Sequence, residues 1–169
     1  MYVGQKIPKN VDGSYDIDTY IKIADWCNET HEATIVDRGE YFECVAVPAP
    51  TLEELKALKF TELESSFNGR VRGAFTTTQG YLMQFDTSDS IKMQGAITLM
   101  EAVGSTVGYI TQANDVTVYD VPIETMKQVL VEMLNAYAQC HARKQELRAL
   151  INNAQTKEEL DEIVISWPV

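Results

Sequence analysis

The sequence predicts an α+β fold, in which small antiparallel β-hairpins pack on helices and one long C-terminal helix precedes a short capped one. Three observations carry this reading. Apolar residues recur at helical spacing in several separate segments. Three turn signals, Asp37-Arg38-Gly39, Gln79-Gly80 and Asn114-Asp115, lie between runs of β-branched and aromatic residues. After Pro122, an apolar pattern spaced by three and four continues for about 30 residues, the rule of a coiled-coil seam.

The first segment, residues 1–50, reads as a helix plus a hairpin. Ile17, Tyr20, Ile21, Ala24 and Cys27 share a helical face, and Gly39 supplies the positive φ of the turn that follows. A short strand is expected at Tyr2–Val3. One apolar face per element buries too little surface to offset chain entropy, so this module is expected not to fold alone. Pro48 and Pro50 mark the boundary to a second domain, residues 51–169.

Thr51 heads a helix whose apolar side holds Leu52, Leu55, Leu58, Leu63 and Phe67, with Asn68-Gly69 as its stop. A hairpin turns at Gln79-Gly80. Ser90 is the expected cap of a helix carrying Met93, Ala96, Ile97 and Met100 on one face, and Gly104 closes it. The hairpin at Asn114-Asp115 should put Val116, Val118 and Val121 on one face. Pro122 suits the first position of the long helix, where its missing N–H costs nothing. The seam there reads Ile123, Met126, Leu130, Met133, Tyr137, Cys140, Lys144, Leu147 and Ile151. Asn152-Asn153 end it. Thr156 then caps a final short helix, and Glu159 is placed to reach back to the N–H of the cap.

The totals exclude several classes. Of 169 residues, 25 are Asp or Glu and 14 are Lys or Arg, for a net charge of −11 that would repel a phosphate backbone. Nucleic acid is therefore not an expected partner. No apolar window approaches the roughly 18 residues of a membrane span, and "MYVGQKIPKN" lacks the apolar core of a secretory signal. Three cysteines, an odd number, fit a reducing compartment.

Candidate sites are few. Cys27 and His31 stand four apart with Cys44 within folding distance, but a zinc site wants a fourth ligand and tighter pairing. Cys140-His141 are helical neighbours that point apart. "DTSDS" at 86–90 is rich in oxygen, yet an EF-hand counted from Asp86 would need Gly and Glu where Ile91 and Ile97 stand. The expectation is a protein without enzymatic activity, cofactor or metal. The one surface singled out is the later half of the seam. Ile123 to Met133 should face the chain's own sheet, while Tyr137, Cys140, Lys144, Leu147 and Ile151 should face a second subunit or another protein.

From Thr51 onward the order of features resembles a domain-of-unknown-function family found in tailed-phage and prophage tail proteins. The resemblance rests on "LEELKALKFTELE", "FNGRVRGAF", "GYLMQFDTSDSIKMQGAI", "VPIETMKQVLVEMLNAY" and "TKEELDEIVISW". The stretch "YIKIADWCNET…IVDRGEYFECV" is similar, more loosely, to small prophage tail-region proteins. The hairpin "GYITQANDVTVYDV" lacks a Trp common in the family. The resemblance implies a tail-fibre or baseplate component or an assembly factor, located in the virion tail or in the host cytoplasm during assembly, with self-association or another tail protein as partner. A small acidic phage protein that binds and inhibits a host factor is the alternative. The family offers no catalytic residues to carry over.

Overall fold

The computed structural model describes residues 2–168 and divides into two compact units, Met1–Thr51 and Leu52–Val169. Both are α+β.

In the first unit, β1 (Lys6–Pro8), β3 (Tyr41–Ala46) and β2 (Ala33–Asp37) form an antiparallel sheet in that order, and α1 (Ile17–Thr30) packs against it. The side chains of Ile7, Ile23, Cys27, Ala33 and Cys44 make its core. Asp16 caps α1 by accepting from Thr19 N at 3.1 Å, and His31 ends the helix in the left-handed region at φ 56°. The hairpin turns where expected, with Gly39 at φ 87° and its N–H donating to Asp37 Oδ1. The strand expected at Tyr2–Val3 lies instead at Lys6–Pro8. Gly4 turns the chain at φ 84°, and Tyr2 spends its ring on an edge contact with Trp26, 5.6 Å between centroids.

The second unit is built along one spine. In chain order it holds α2 (Leu52–Arg72), the hairpin β4–β5 (Phe75–Thr76 and Leu82–Met83), α3 (Thr87–Ala102), the hairpin β6–β7 (Val107–Thr111 and Thr117–Pro122), α4 (Ile123–Asn153) and α5 (Lys157–Asp161). The first half of α4 carries α3 and β6–β7 around Met126, Val129 and Met133, all fully buried. Its second half carries α2 and α5 around Leu63, Leu147 and Ile151, also fully buried. Burial of each such side chain stabilises the fold by about 1.5–3 kcal/mol. The last turn of the chain closes over α2: Trp167 Nε1 donates to Ser66 Oγ at 2.9 Å, and its ring lies 5.6 Å from Phe67.

Four boundaries differ from the sequence reading, each for a local reason. Helix α2 does not stop at Asn68-Gly69 but runs on to Arg72, because Val71 continues the buried stripe of Leu63 and Phe67. Burying Val71 outweighs the roughly 1 kcal/mol that a helical glycine costs. Leu58 is off that stripe and exposed, and Phe60 packs against the core in its stead. The cap of α3 is Asp86, which accepts from Asp89 N at 2.9 Å, while Ser90 turns into the core with Met93 and Ile97. Pro122 is the last residue of β7 and the cap of α4, one place before the first helical position. Finally, Glu159 reaches the N–H of Gln155 at 2.7 Å, not that of Thr156, although Thr156 does cap α5.

The β6–β7 hairpin carries a bulge between Gly108 and Ile110, with Asp120 at φ 56°. Val118 and Val121 are an odd number of residues apart, so in a regular strand they would face opposite sides. The extra residue brings both against the core, and Val116 in the turn is left exposed. A Cβ added at Gly108 would stand 2.8 Å from Met126 Sδ, so the methionine would have to shift.

Candidate functional site

The seam expected to face a second chain is covered by this chain itself. Cys140, Leu147 and Ile151 have no exposed surface, and Tyr137 is partly buried on Phe67 at 6.0 Å. Lys144 does not serve as a polar register element toward a partner. Its ammonium donates to Glu64 of α2 at 2.6 Å and lies 4.3 Å from the Phe67 ring centroid. Arg148 meets the other oxygen of the same carboxylate at 3.0 Å. These hydrogen bonds and charges, led by the one from Lys144, hold the Glu64 carboxyl below its ordinary range. The physical reason for the correction is length. A helix of 31 residues is long enough to need two packing partners in succession, and α3 and α2 supply them.

What remains open is the opposite side of the same helix. At 100° per residue, positions 131, 134, 135, 138, 141, 142, 145, 149, 152 and 153 fall within about 60° of one line. All ten are exposed, and they read Val, Leu, Asn, Ala, His, Ala, Gln, Ala, Asn, Asn. No formal charge occurs among them, on a chain in which 23% of residues are charged. Val131 and Leu134 expose 55% and 47% of their surface. The stripe runs about 33 Å at 1.5 Å per residue. His141 borders it with its ring stacked on Tyr137, 5.9 Å between centroids. Sequence reasoning missed this face because it followed the apolar seam. The available signal was the gap in charge on the other side.

A second feature is a cleft of about 590 Å³ between α3, β5 and β6. Met83 and Met93 form its apolar floor, Tyr109, Gln84 and Gln112 its walls, and the Asp89–Lys92 ion pair (3.0 Å) its rim. Gln112 Oε1 is already engaged by the N–H of Leu82 at 2.8 Å, so that wall is structural as well as polar.

The cysteine positions behave as core. Cys27 and Cys44 are buried thiols with sulfurs 3.8 Å apart, and burial pushes Cys44 up to about 11. His31 stands exposed at the end of α1. Among the described residues no group of three or more His, Cys, Asp or Glu could hold a metal ion, and no helix is long and apolar enough to cross a membrane. Within 86–90, Asp86 caps α3, Asp89 pairs with Lys92, and the buried Ser90 hydroxyl does neither turn nor cap work.

A family model described as "Domain of unknown function (DUF4376)" matches residues 46–164. The chain belongs to this family. The match takes in α2 through α5 and so the whole helical spine with its uncharged outer face. No curated protein and no solved structure matches the chain.

Proposed function

We propose that the chain is a non-enzymatic phage or prophage protein that works through protein–protein contacts, as a tail-fibre or baseplate component or an assembly factor. The observation that carries the contact reading is the outer face of α4, exposed and without formal charge over about 33 Å. A solvated helix ordinarily dresses its outer face in charge, and the exposed Val131 and Leu134 at one end of this uncharged face are surface that a partner would cover. The tail assignment draws on the sequence resemblance of the 51–169 segment to tail-region proteins.

The test is to isolate tail particles from the phage or lysogen that encodes the chain and cross-link them before mass spectrometry. The proposal expects the chain in the particles, or on their assembly intermediates, with cross-links from Lys127 or Lys157, the lysines nearest in sequence to the two ends of the stripe. A chain absent from particles and intermediates, and recovered instead on a host enzyme that it inhibits, would replace this reading by the host-factor one.

A further inference from the structure

We propose that the cleft between α3 and β6 binds an extended peptide segment of a partner protein, laid along the outer edge of β6 as a third strand. The proposal goes beyond the contact reading above and does not use the outer face of α4, so either can fail alone.

The ladder of the two-stranded β6–β7 sheet fixes where its unused backbone groups point. At the turn, the N–H of Gln112 donates to Val116 O at 2.9 Å, and at the other end the N–H of Ile123 donates to Thr106 O at 3.1 Å. Antiparallel pairs alternate between hydrogen-bonded and non-hydrogen-bonded. Between those two ends the bonded positions are therefore Ile110 with Val118 and Gly108 with Val121, and Tyr109 and Thr111 fall at the other kind. The Thr111 and Thr117 hydroxyls, 3.1 Å apart, fit the closer side-chain approach of a non-hydrogen-bonded pair. The N–H and C=O groups of Tyr109 and Thr111 thus point away from β7.

Ala113 shows what lies on that side. Its N–H points the same way and donates to Leu82 O of β5 at 2.8 Å. The chain then leaves the edge, since the N–H of Phe85 donates to Val71 O at 3.1 Å. Among the described residues nothing meets the four outward groups of Tyr109 and Thr111. Both residues line the cleft, with Gln84 and α3 across from them. Its volume of about 590 Å³ falls within the range of about 300–1,000 Å³ of ligand sites.

The chemistry of the edge selects the occupant. A donor and an acceptor at every second residue, about 6.8 Å apart, are the groups that an extended main chain satisfies. Side chains on one side of such a strand would land on Met83 and Met93, which belong to the same buried cluster as Ile110. Methionine adapts its shape, so this floor accepts apolar side chains of several sizes. Charge adds a preference at one end. Asp89 is already paired with Lys92, whereas the carboxylate of Asp115 makes no ion pair among the described residues. A basic residue beside the Asn114-Asp115 turn answers it, and the net charge of −11 draws a basic segment in. With two edge residues engaged, the affinity should be low, with a Kd on the order of 100 µM.

The test is a nuclear magnetic resonance titration of the ¹⁵N-labelled full chain. The probe is a seven-residue peptide with blocked ends that alternates valine and threonine and finishes in lysine. At about 2 mM peptide the amide protons of Tyr109 and Thr111 should shift downfield and exchange with solvent about tenfold more slowly. That of Ile110, already bonded to β7, should change little. The same peptide with alternate backbone nitrogens methylated along the edge that meets β6 should bind about tenfold more weakly or not at all. Asp115→Asn keeps a residue suited to the positive φ of 63° there. It should weaken the lysine peptide about threefold and leave a glutamine-ended one unchanged. No shift at about 2 mM peptide, equal binding of the methylated peptide, or shifts that gather away from β6 and α3 would overturn the proposal. Protection of Tyr109 and Thr111 that rises with protein concentration in the absence of peptide would also overturn it, by giving the edge to a second copy.

Discussion

The two sides of α4 obey different rules although they share every backbone hydrogen bond. On the inner side, Met126, Val129, Met133, Cys140, Leu147 and Ile151 are each at or near complete burial. Lys144, a charge that leans inward from the seam, is answered by Glu64. From Val131 to Asn153 the outer side has neither burial nor formal charge. The inner face is therefore accounted for within the chain, and the outer face is not. That difference teaches where to look for function in a fold whose sequence motifs are mostly caps and apolar stripes.

The largest expected effect breaks the inner face. Leu147→Glu puts a carboxylate among Leu63, Ile151 and Leu160 in place of a fully buried apolar side chain. A loss of about 3–5 kcal/mol is expected, enough to leave a marginal domain unfolded, and circular dichroism would show it. Leu147→Ala should cost about 2–5 kcal/mol through the cavity left behind. The same glutamate moved to Ala138 on the outer face should change the melting free energy by less than about 0.5 kcal/mol. Equal losses at 138 and 147 would erase the distinction between the faces.

A smaller effect reads the ion pair that replaces the expected interface contact. The folded Glu64 carboxyl titrates below its unfolded value, so its stabilising contribution is present above the unfolded pKa. It is lost as pH falls through the folded pKa, that is, on the acid side of about 4.3. Glu64 is 42% exposed, and solvent screening limits the contribution to about 0.5–1 kcal/mol. Glu64→Gln should cost that much at pH 7 and flatten the acid limb of the stability profile below about pH 4.3, measured by urea melts across pH. An unchanged acid limb would mean that the contact with Lys144 is too solvated to matter.

The smallest predicted change is a gain. Gly69 sits inside α2 with nothing within 4 Å of where a Cβ would be. Gly69→Ala should stabilise the fold by about 0.5–1 kcal/mol, a rise in melting temperature of a few degrees. Gly108→Ala should go the other way, because its Cβ would press on Met126 in the buried core of the first half of the spine. A neutral Gly108→Ala would show that Met126 gives way freely.

Much of this architecture was legible in the residues. The α+β class, the turns at Gly39, Gly80 and Asp115, and the start of α5 at Thr156 follow from local chemistry, and the structure has them. The misplaced features were those decided by neighbours distant in sequence. Gly69 looked like a stop because nothing local reveals that Val71 has a core to enter. Ser90 looked like a cap because its hydroxyl is cap-like, while Asp86 competes better from four residues earlier. The largest misreading concerned Lys144, a polar residue in an apolar seam. Its partner, Glu64, lies 80 positions away, and only the fold brings them together. The outer face was legible in principle, since its lack of charge is a local property, but its exposure is not.

One measurement addresses the contrast of the two faces most directly: the rate at which a thiol reagent labels Cys140 and an introduced Ala142→Cys in the same folded chain, followed by mass spectrometry. Cys140 is inner and fully buried, and the thiols of Cys27 and Cys44 are buried as well, whereas position 142 is outer and exposed. The account predicts fast labelling at 142 and negligible labelling at Cys140 in the native state. Native-state labelling of Cys140 at a rate comparable to that of 142 would contradict it.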